Sequence, residues 1–329
     1  MRAFSFYYLT SNLGKLNHFT LPTSLLYPPH SGVGHITSDG DFFTSDGDFA
    51  GWECAFSTVS GERMSVPEDY IPEALREWEV GVWGFETLTS EKLLEGAKLY
   101  RKTARVFPEV GCGLDNLSVE LSQSETPLEE GKNFKAWDED GSYTLDQGTH
   151  TETCFHEGEW RHRLQLLLGP GCSALLGISI IRERRLGDFS DGSMYHGGGL
   201  DSQKLGRALQ AKCFADDNAS DDGDLDVDES GTWSWGSQGY QSAGLGVSNV
   251  GRPSGKGGPE AKFLALRGGY GIRTGPAAEI LPGLDLAEGA WGLEVLRARG
   301  ATKRAACCRV FEEGKLSAVV WGEEERIDH

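Results

Sequence analysis

Basic residues are scarce in this sequence, and several short signatures of chemistry are missing. Lysine and arginine number 31 against 50 aspartates and glutamates, a net charge of -19 over 329 residues. Phosphate backbones are gripped by basic faces, so nucleic acid is excluded as the main partner. The balance suits a neutral or basic partner, such as another protein with a positive surface. No run of 18 apolar residues occurs, so no transmembrane helix is expected. No Cys-x-x-Cys pair is present, which argues against a zinc ribbon. The seven cysteines are odd in number and unevenly spaced, unlike a secreted disulfide framework. No Gly-x-Ser-x-Gly elbow supports an α/β-hydrolase. No His-Glu-x-x-His spacing supports a zinc helix. The Gly-Lys-Gly at 255–257 lacks the flanking glycine and hydroxyl of a phosphate loop.

Glycine, by contrast, is plentiful. It supplies 45 of 329 residues, about twice the usual ~7%, which predicts many tight turns between short strands. The first acidic residue is Asp39. Arg2, Lys15, nine Ser or Thr and an aromatic-rich start precede it. That acid-free leader has the composition of an organelle transit peptide; a ragged N-terminus is the alternative. Residues 37–49 hold a short duplication, TSDGDFFTSDGDF, too brief for a solenoid unit. Residues 216–229, DDNASDDGDLDVDE, form an acidic, self-repelling loop. Asp222, Asp224 and Asp226 suggest a calcium loop, but Val227 and Trp233 stand where Gly and Glu are required.

The remainder reads mainly as strand. Residues 174–184 and 316–323 are apolar and β-branched, and 151–168 alternate about a turn at Gly158. Only 67–79 and 88–101 read as helices, the second ending on the basic Lys98, Arg101 and Lys102. A repeat links two regions. Glu152, Gly158, Arg161 and His162 have the spacing of Glu294, Gly300, Lys303 and Arg304, offset by 142. Each unit is an antiparallel meander, whose open edges must be closed or paired. Two copies predict two β-barrels in tandem. The expected organisation is a leader over 1–45, an N-terminal barrel over 46–198 and a C-terminal barrel over 199–329.

Few residues stand out as a site. His156 and His162 read as surface residues of a hairpin, not metal ligands. Glu152 and Glu294 read as solvated strand residues, since glutamate is seldom buried. Cys307 and Cys308 point opposite ways on a strand, which argues against a disulfide. Trp233 and Trp235 share one strand face and are candidates for a cavity lining. No catalytic residue, metal or cofactor is expected.

Three segments carry a family resemblance: WEC at 52–54, VPEDYIPEALREWEV at 66–80 and FPEVGCGLD at 107–115. GSYTL at 141–145, the 152–163 hairpin and SIIRERR at 179–185 continue it in order. The chain resembles, over 52–185, a plant and algal calycin-like family, formerly a domain of unknown function. That family includes the chloroplast biogenesis factor required for ATP synthase. The resemblance implies an all-β chain of two tandem calycin-like antiparallel β-barrels with short helices. It also implies a non-enzymatic assembly factor of the chloroplast stroma that holds β and γ subunits of the ATP synthase catalytic head. Arg76, Glu77, Trp78 and Glu79 lie on its PEALREWEV segment, either as a partner-binding helix or as a plug that closes a barrel end. The alternative function is a calycin-type carrier or lyase-like binder of a lipid or bilin pigment.

Overall fold

A computed structural model describes residues 46–65, 84–106, 119–129, 132–136, 141–191, 233–242, 260–266, 268–281, 286–300 and 302–326. The leader, Arg76, Glu77, Trp78 and Glu79, the acidic loop and the expected 198/199 boundary lie outside the described residues.

The first sheet has nine strands: β1 (Gly47–Phe56), β2 (Phe85–Leu94), β3 (Lys98–Val106), β4 (Val119–Pro127), β5 (Phe134–Ala136), β6 (Tyr143–Gln147), β7 (His150–Glu157), β8 (Trp160–Leu168) and β9 (Leu175–Gly187). Their order is β4-β3-β2-β1-β9-β8-β7-β6-β5. The second sheet has six: β10 (Trp233–Ser242), β11 (Lys262–Leu266), β12 (Tyr270–Pro276), β13 (Trp291–Ala298), β14 (Lys303–Glu312) and β15 (Lys315–Arg326). They run β10-β15-β14-β13-β12-β11. Among the described residues one short α-helix, α1 (Ala277–Ile280), packs on Gly292, where an added Cβ would meet Ile280 at 2.9 Å.

Every pairing between neighbouring strands is antiparallel. The meander read from the sequence is therefore present. β7 and β8 meet across Gly158-Glu159, with Gly158 at φ 65°. The consecutive order β7-β8-β9 recurs as β13-β14-β15. The helix expected over 88–101 is not formed. Those residues are β2 and β3, joined by a turn at Glu95-Gly96-Ala97 in which Gly96 and Ala97 have φ of 78° and 54°. A left-handed turn stops any helix. Cross-strand pairing then recruits the Leu, Lys and Glu of this segment despite their helix propensity. Lys98, Arg101 and Lys102 lie on β3 rather than in a last helical turn.

The first sheet is strongly curled. Arg101 on β3 hydrogen-bonds Glu152 on β7 at 2.8 and 3.0 Å, although five strand spacings separate them in the sheet order. Flat, that interval would be about 24 Å. The strands thus have a concave and a convex side, and β8 shows both. Leu164, Leu166 and Leu168 join one apolar core with Trp52, Ile178 and Ile180 of the same sheet and with Ile272, Leu293, Val295 and Cys307 of the second. Arg161, Arg163 and Gln165 alternate with them and reach the acids of the concave side. Cys307 and Cys308 fall into different clusters on opposite faces, as strand geometry requires. Both are buried thiols.

Candidate functional site

The distinctive chemistry of the chain is the charged concave side of the nine-stranded sheet. Four strands supply its acids: Glu53 from β1, Glu91 from β2, Glu152 from β7 and Glu183 from β9. All four are buried. Four arginines answer them: Arg101 and Arg105 from β3, Arg161 and Arg163 from β8. Glu183 accepts from Arg161 Nε at 2.7 Å, from Arg163 Nε at 2.8 Å and Nη2 at 3.0 Å, and from Thr89 Oγ1 at 2.7 Å. Glu91 accepts from Arg161 Nη1 at 2.9 Å and from Arg101 Nε. Glu152 accepts from Arg101, from Tyr143 Oη at 2.7 Å and from Gln165 Nε2 at 2.8 Å. Glu53 takes Arg105 at 2.6 and 2.8 Å and Ser179 Oγ at 2.9 Å.

Electrostatics explains why these groups stay charged. Burial alone raises the pKa of Glu183, but Arg161 and Arg163 reverse the effect and hold it well below the usual carboxylate range. Glu152 is likewise raised by burial and held low by Arg101 and Arg163. Burial lowers Arg163, yet Glu183 drives it upward overall. Arginine partners hold Glu91, Glu152 and Glu183 below the usual carboxylate range, so none of the three is poised to take or give a proton near neutral pH. Arg161 also stacks its guanidinium 3.4 Å from the centroid of Phe49. A small cavity of about 200 Å³ opens at one end of this interior, lined by Arg101, Glu152 and Gln165 with Ser124, Thr126 and Gln147.

The second sheet repeats the device in smaller form. Arg273 Nη1 lies 2.5 Å from Glu294 Oε2, and Arg304 pairs with Glu324, all four buried. The expectation that Glu152 and Glu294 are solvated is therefore corrected. Arginine partners on neighbouring or facing strands neutralise them inside the fold. The two glutamates do not pair with each other; each belongs to the network of its own sheet.

The seam between the sheets is polar at two points. Arg309 on β14 donates to Glu152 O at 2.6 Å and Thr153 Oγ1 at 2.9 Å. His162 has Nδ1 2.6 Å from Tyr270 Oη and Nε2 3.2 Å from Glu157 Oε2, which also meets Arg297 at 3.3 Å. His156 and His162 are 6% and 1% exposed, which corrects their reading as surface residues. The second sheet covers His162. Burial, aided by Arg297, lowers its pKa from 6.5 to about 3 against the opposing pull of Glu157. His162 is thus neutral in the fold and protonates more readily in the unfolded chain. Its contribution to stability is present above about pH 6.5 and is lost as pH falls toward 3. Chemical denaturation at stepped pH checks this: His162→Gln is expected to flatten the stability slope between pH 6.5 and 4.

Trp233 and Trp235 lie on β10, in backbone register with Arg326 and Glu324 of β15. The residues that form the nine-stranded interior went unrecognised as a site: Glu53, Glu91, Arg101, Arg105, Arg161, Arg163 and Glu183. The sequence signal for two of them is arginine at alternate positions 161 and 163 of β8, out of phase with Leu164, Leu166 and Leu168. Among the described residues, no three His, Cys, Asp or Glu gather to hold a metal ion. No helix among them is long and apolar enough to cross a membrane.

No protein-family model matches the chain, and no curated protein matches it. Among solved structures, a DUF3598-family protein of unknown function from Nostoc punctiforme is similar at 13% identity. The match covers 86% of this chain and 96% of that one, with a TM-score of 0.49. An acyl-CoA thioesterase II from Mycobacterium marinum matches at 10% identity over 85% and 81% of the chains, with a TM-score of 0.13. A dehydratase domain from Pseudomonas fluorescens matches at 11% identity over 85% and 76%, with a TM-score of 0.10. Likenesses this distant carry no functional argument.

Proposed function

We propose that this chain is a non-enzymatic protein-binding factor, and that its partners are the β and γ subunits of the ATP synthase catalytic head in the chloroplast stroma. One observation carries the reading: the buried charges cancel. Seven acids and six arginines are buried among the described residues. Nearly all of the net charge of -19 is therefore carried by the rest of the chain. A net negative charge of that size favours and steers basic partner surfaces. The chosen subunits come from the resemblance of residues 52–185 to the plant and algal family. On the same reading the two sheets are two calycin-like barrels in tandem.

The alternative is a lipid or bilin held inside a barrel. It needs an apolar lumen, whereas the concave side of the nine-stranded sheet is lined with buried ion pairs. Its cavity of about 200 Å³ is below the ~300–1,000 Å³ of drug-sized ligand sites. The test is affinity capture of the tagged full chain from stroma, washed at low and high salt. Recovery of β or γ subunits, reduced by salt, supports the assembly factor. A stoichiometric pigment or lipid with neither subunit overturns it.

A further inference from the structure

Where the shared apolar core runs out, the gap between the sheets opens into a cleft of about 780 Å³. Its floor is the face of β11, β12 and β13 that elsewhere meets the first sheet, here represented by Leu264, Ile272 and Trp291. Leu175, at the start of β9, faces them from the first sheet. Leu175, Leu264 and Trp291 are only partly buried, so the cleft leaves apolar surface in contact with water. Covering that surface is favourable by about 25 cal/mol per Å². The volume lies in the roughly 300–1,000 Å³ range of small-ligand sites.

The mouth is polar. Lys262 and Thr274 are direct cross-strand partners, so their side chains stand on one face with Cβ atoms about 5 Å apart. Among the described residues neither side chain has an ion-pair or hydrogen-bond partner. Glu260, a turn residue two positions before Lys262, shares the lining, with its backbone N–H donating to Glu279 at 2.9 Å. The Thr274 side of Lys262 is thus the side open to an anion.

The geometry points to a binding site for an elongated amphiphile with an anionic head. Its hydrocarbon body lies against Leu175, Leu264, Ile272 and Trp291, and its carboxylate or phosphate meets Lys262 Nζ and Thr274 Oγ1. This site is at the seam of the sheets, not in the lumen of either. Two sources share that chemistry, a free fatty carboxylate and the headgroup of a membrane lipid.

The test is calorimetric titration of the full chain with decanoate and with 1-decanol, alongside sedimentation with phosphatidylcholine vesicles containing phosphatidylglycerol. Saturable one-to-one binding of decanoate is expected. Lys262→Gln should weaken decanoate about tenfold, the scale of a lost charge-assisted hydrogen bond, and leave decanol unchanged. Ala174→Trp fills the cleft from an exposed position and should weaken both. Circular dichroism checks that each variant is folded. Decanoate binding without vesicle binding identifies a free amphiphile as the source. Lys262-dependent binding of both identifies a lipid headgroup. Absence of saturable decanoate binding, or binding unchanged in both variants, overturns the site.

Discussion

Glu183→Ala is expected to lower the melting temperature by about 10 °C. The substitution removes one carboxylate and strands two guanidinium groups. Arg161 and Arg163 are 0% and 1% exposed and both donate to Glu183, as does Thr89. Breaking a buried pair by deleting one partner costs about 3–5 kcal/mol, because the remaining charge is left in low dielectric. Each kcal/mol corresponds to roughly 2–4 °C in a chain of this size class. Glu91 and Glu152 keep one contact each with Arg161 and Arg163, which holds the loss near the lower end. A control lies one turn away. Arg184 and Glu159 are paired at 2.7 Å but 43% and 66% exposed, so Glu159→Ala should change stability by less than about 1 kcal/mol. A calorimetric scan of both variants decides the matter. Equal small shifts would mean that the interior ion pairs contribute little.

Gly51→Ala is expected to disrupt the join between β1 and β9. Gly51 stands opposite Glu183 and Thr87 in the register. A Cβ built there would lie 2.2 Å from Arg182 O and 2.6 Å from Glu183 Cγ. The first is backbone and cannot swing away, and the second is anchored by Arg161, Arg163 and Thr89. The absent side chain therefore makes the space through which Glu183 enters the network. Overpacking of this kind costs about 1–3 kcal/mol or more, and here it also misplaces the central carboxylate. Amide hydrogen exchange is expected to lose protection first in β1 and β9. As a comparison, Gly158 has nothing within 4 Å of a built Cβ, so Gly158→Asn should be tolerated as a left-handed turn residue. Unchanged protection in Gly51→Ala would refute the packing account.

Local pattern carried some elements and not others. The hairpin across Gly158 was legible because polar and apolar residues alternate over 151–168 and a glycine marks the reversal. The strands at 174–184 and 316–323 were legible from their β-branched, apolar character. β2 and β3 were not. LTSEKLLEGAKLYR is rich in helix formers, and only the pairing with β1 and β4 overrides them. The charged interior was hidden for a related reason. Glutamate and arginine are seldom buried, and the partners that permit it are far apart in sequence. Arg101 and Glu152 lie 51 residues apart, and Arg161 and Glu91 lie 70 apart. Their encounter depends on how far the sheet curls, which no local spacing encodes. His162 belongs with them, since Tyr270 covers it from the other sheet.

The most direct measurement is a titration of the purified full chain against isolated β and γ subunits of the chloroplast ATP synthase at about 0.1 M and about 1 M salt. Screening shortens from about 10 Å to about 3 Å between those conditions. The acidic-surface account predicts saturable binding at the lower salt, weakened tenfold or more at the higher. Absence of binding to either subunit, or affinity indifferent to salt, would contradict it.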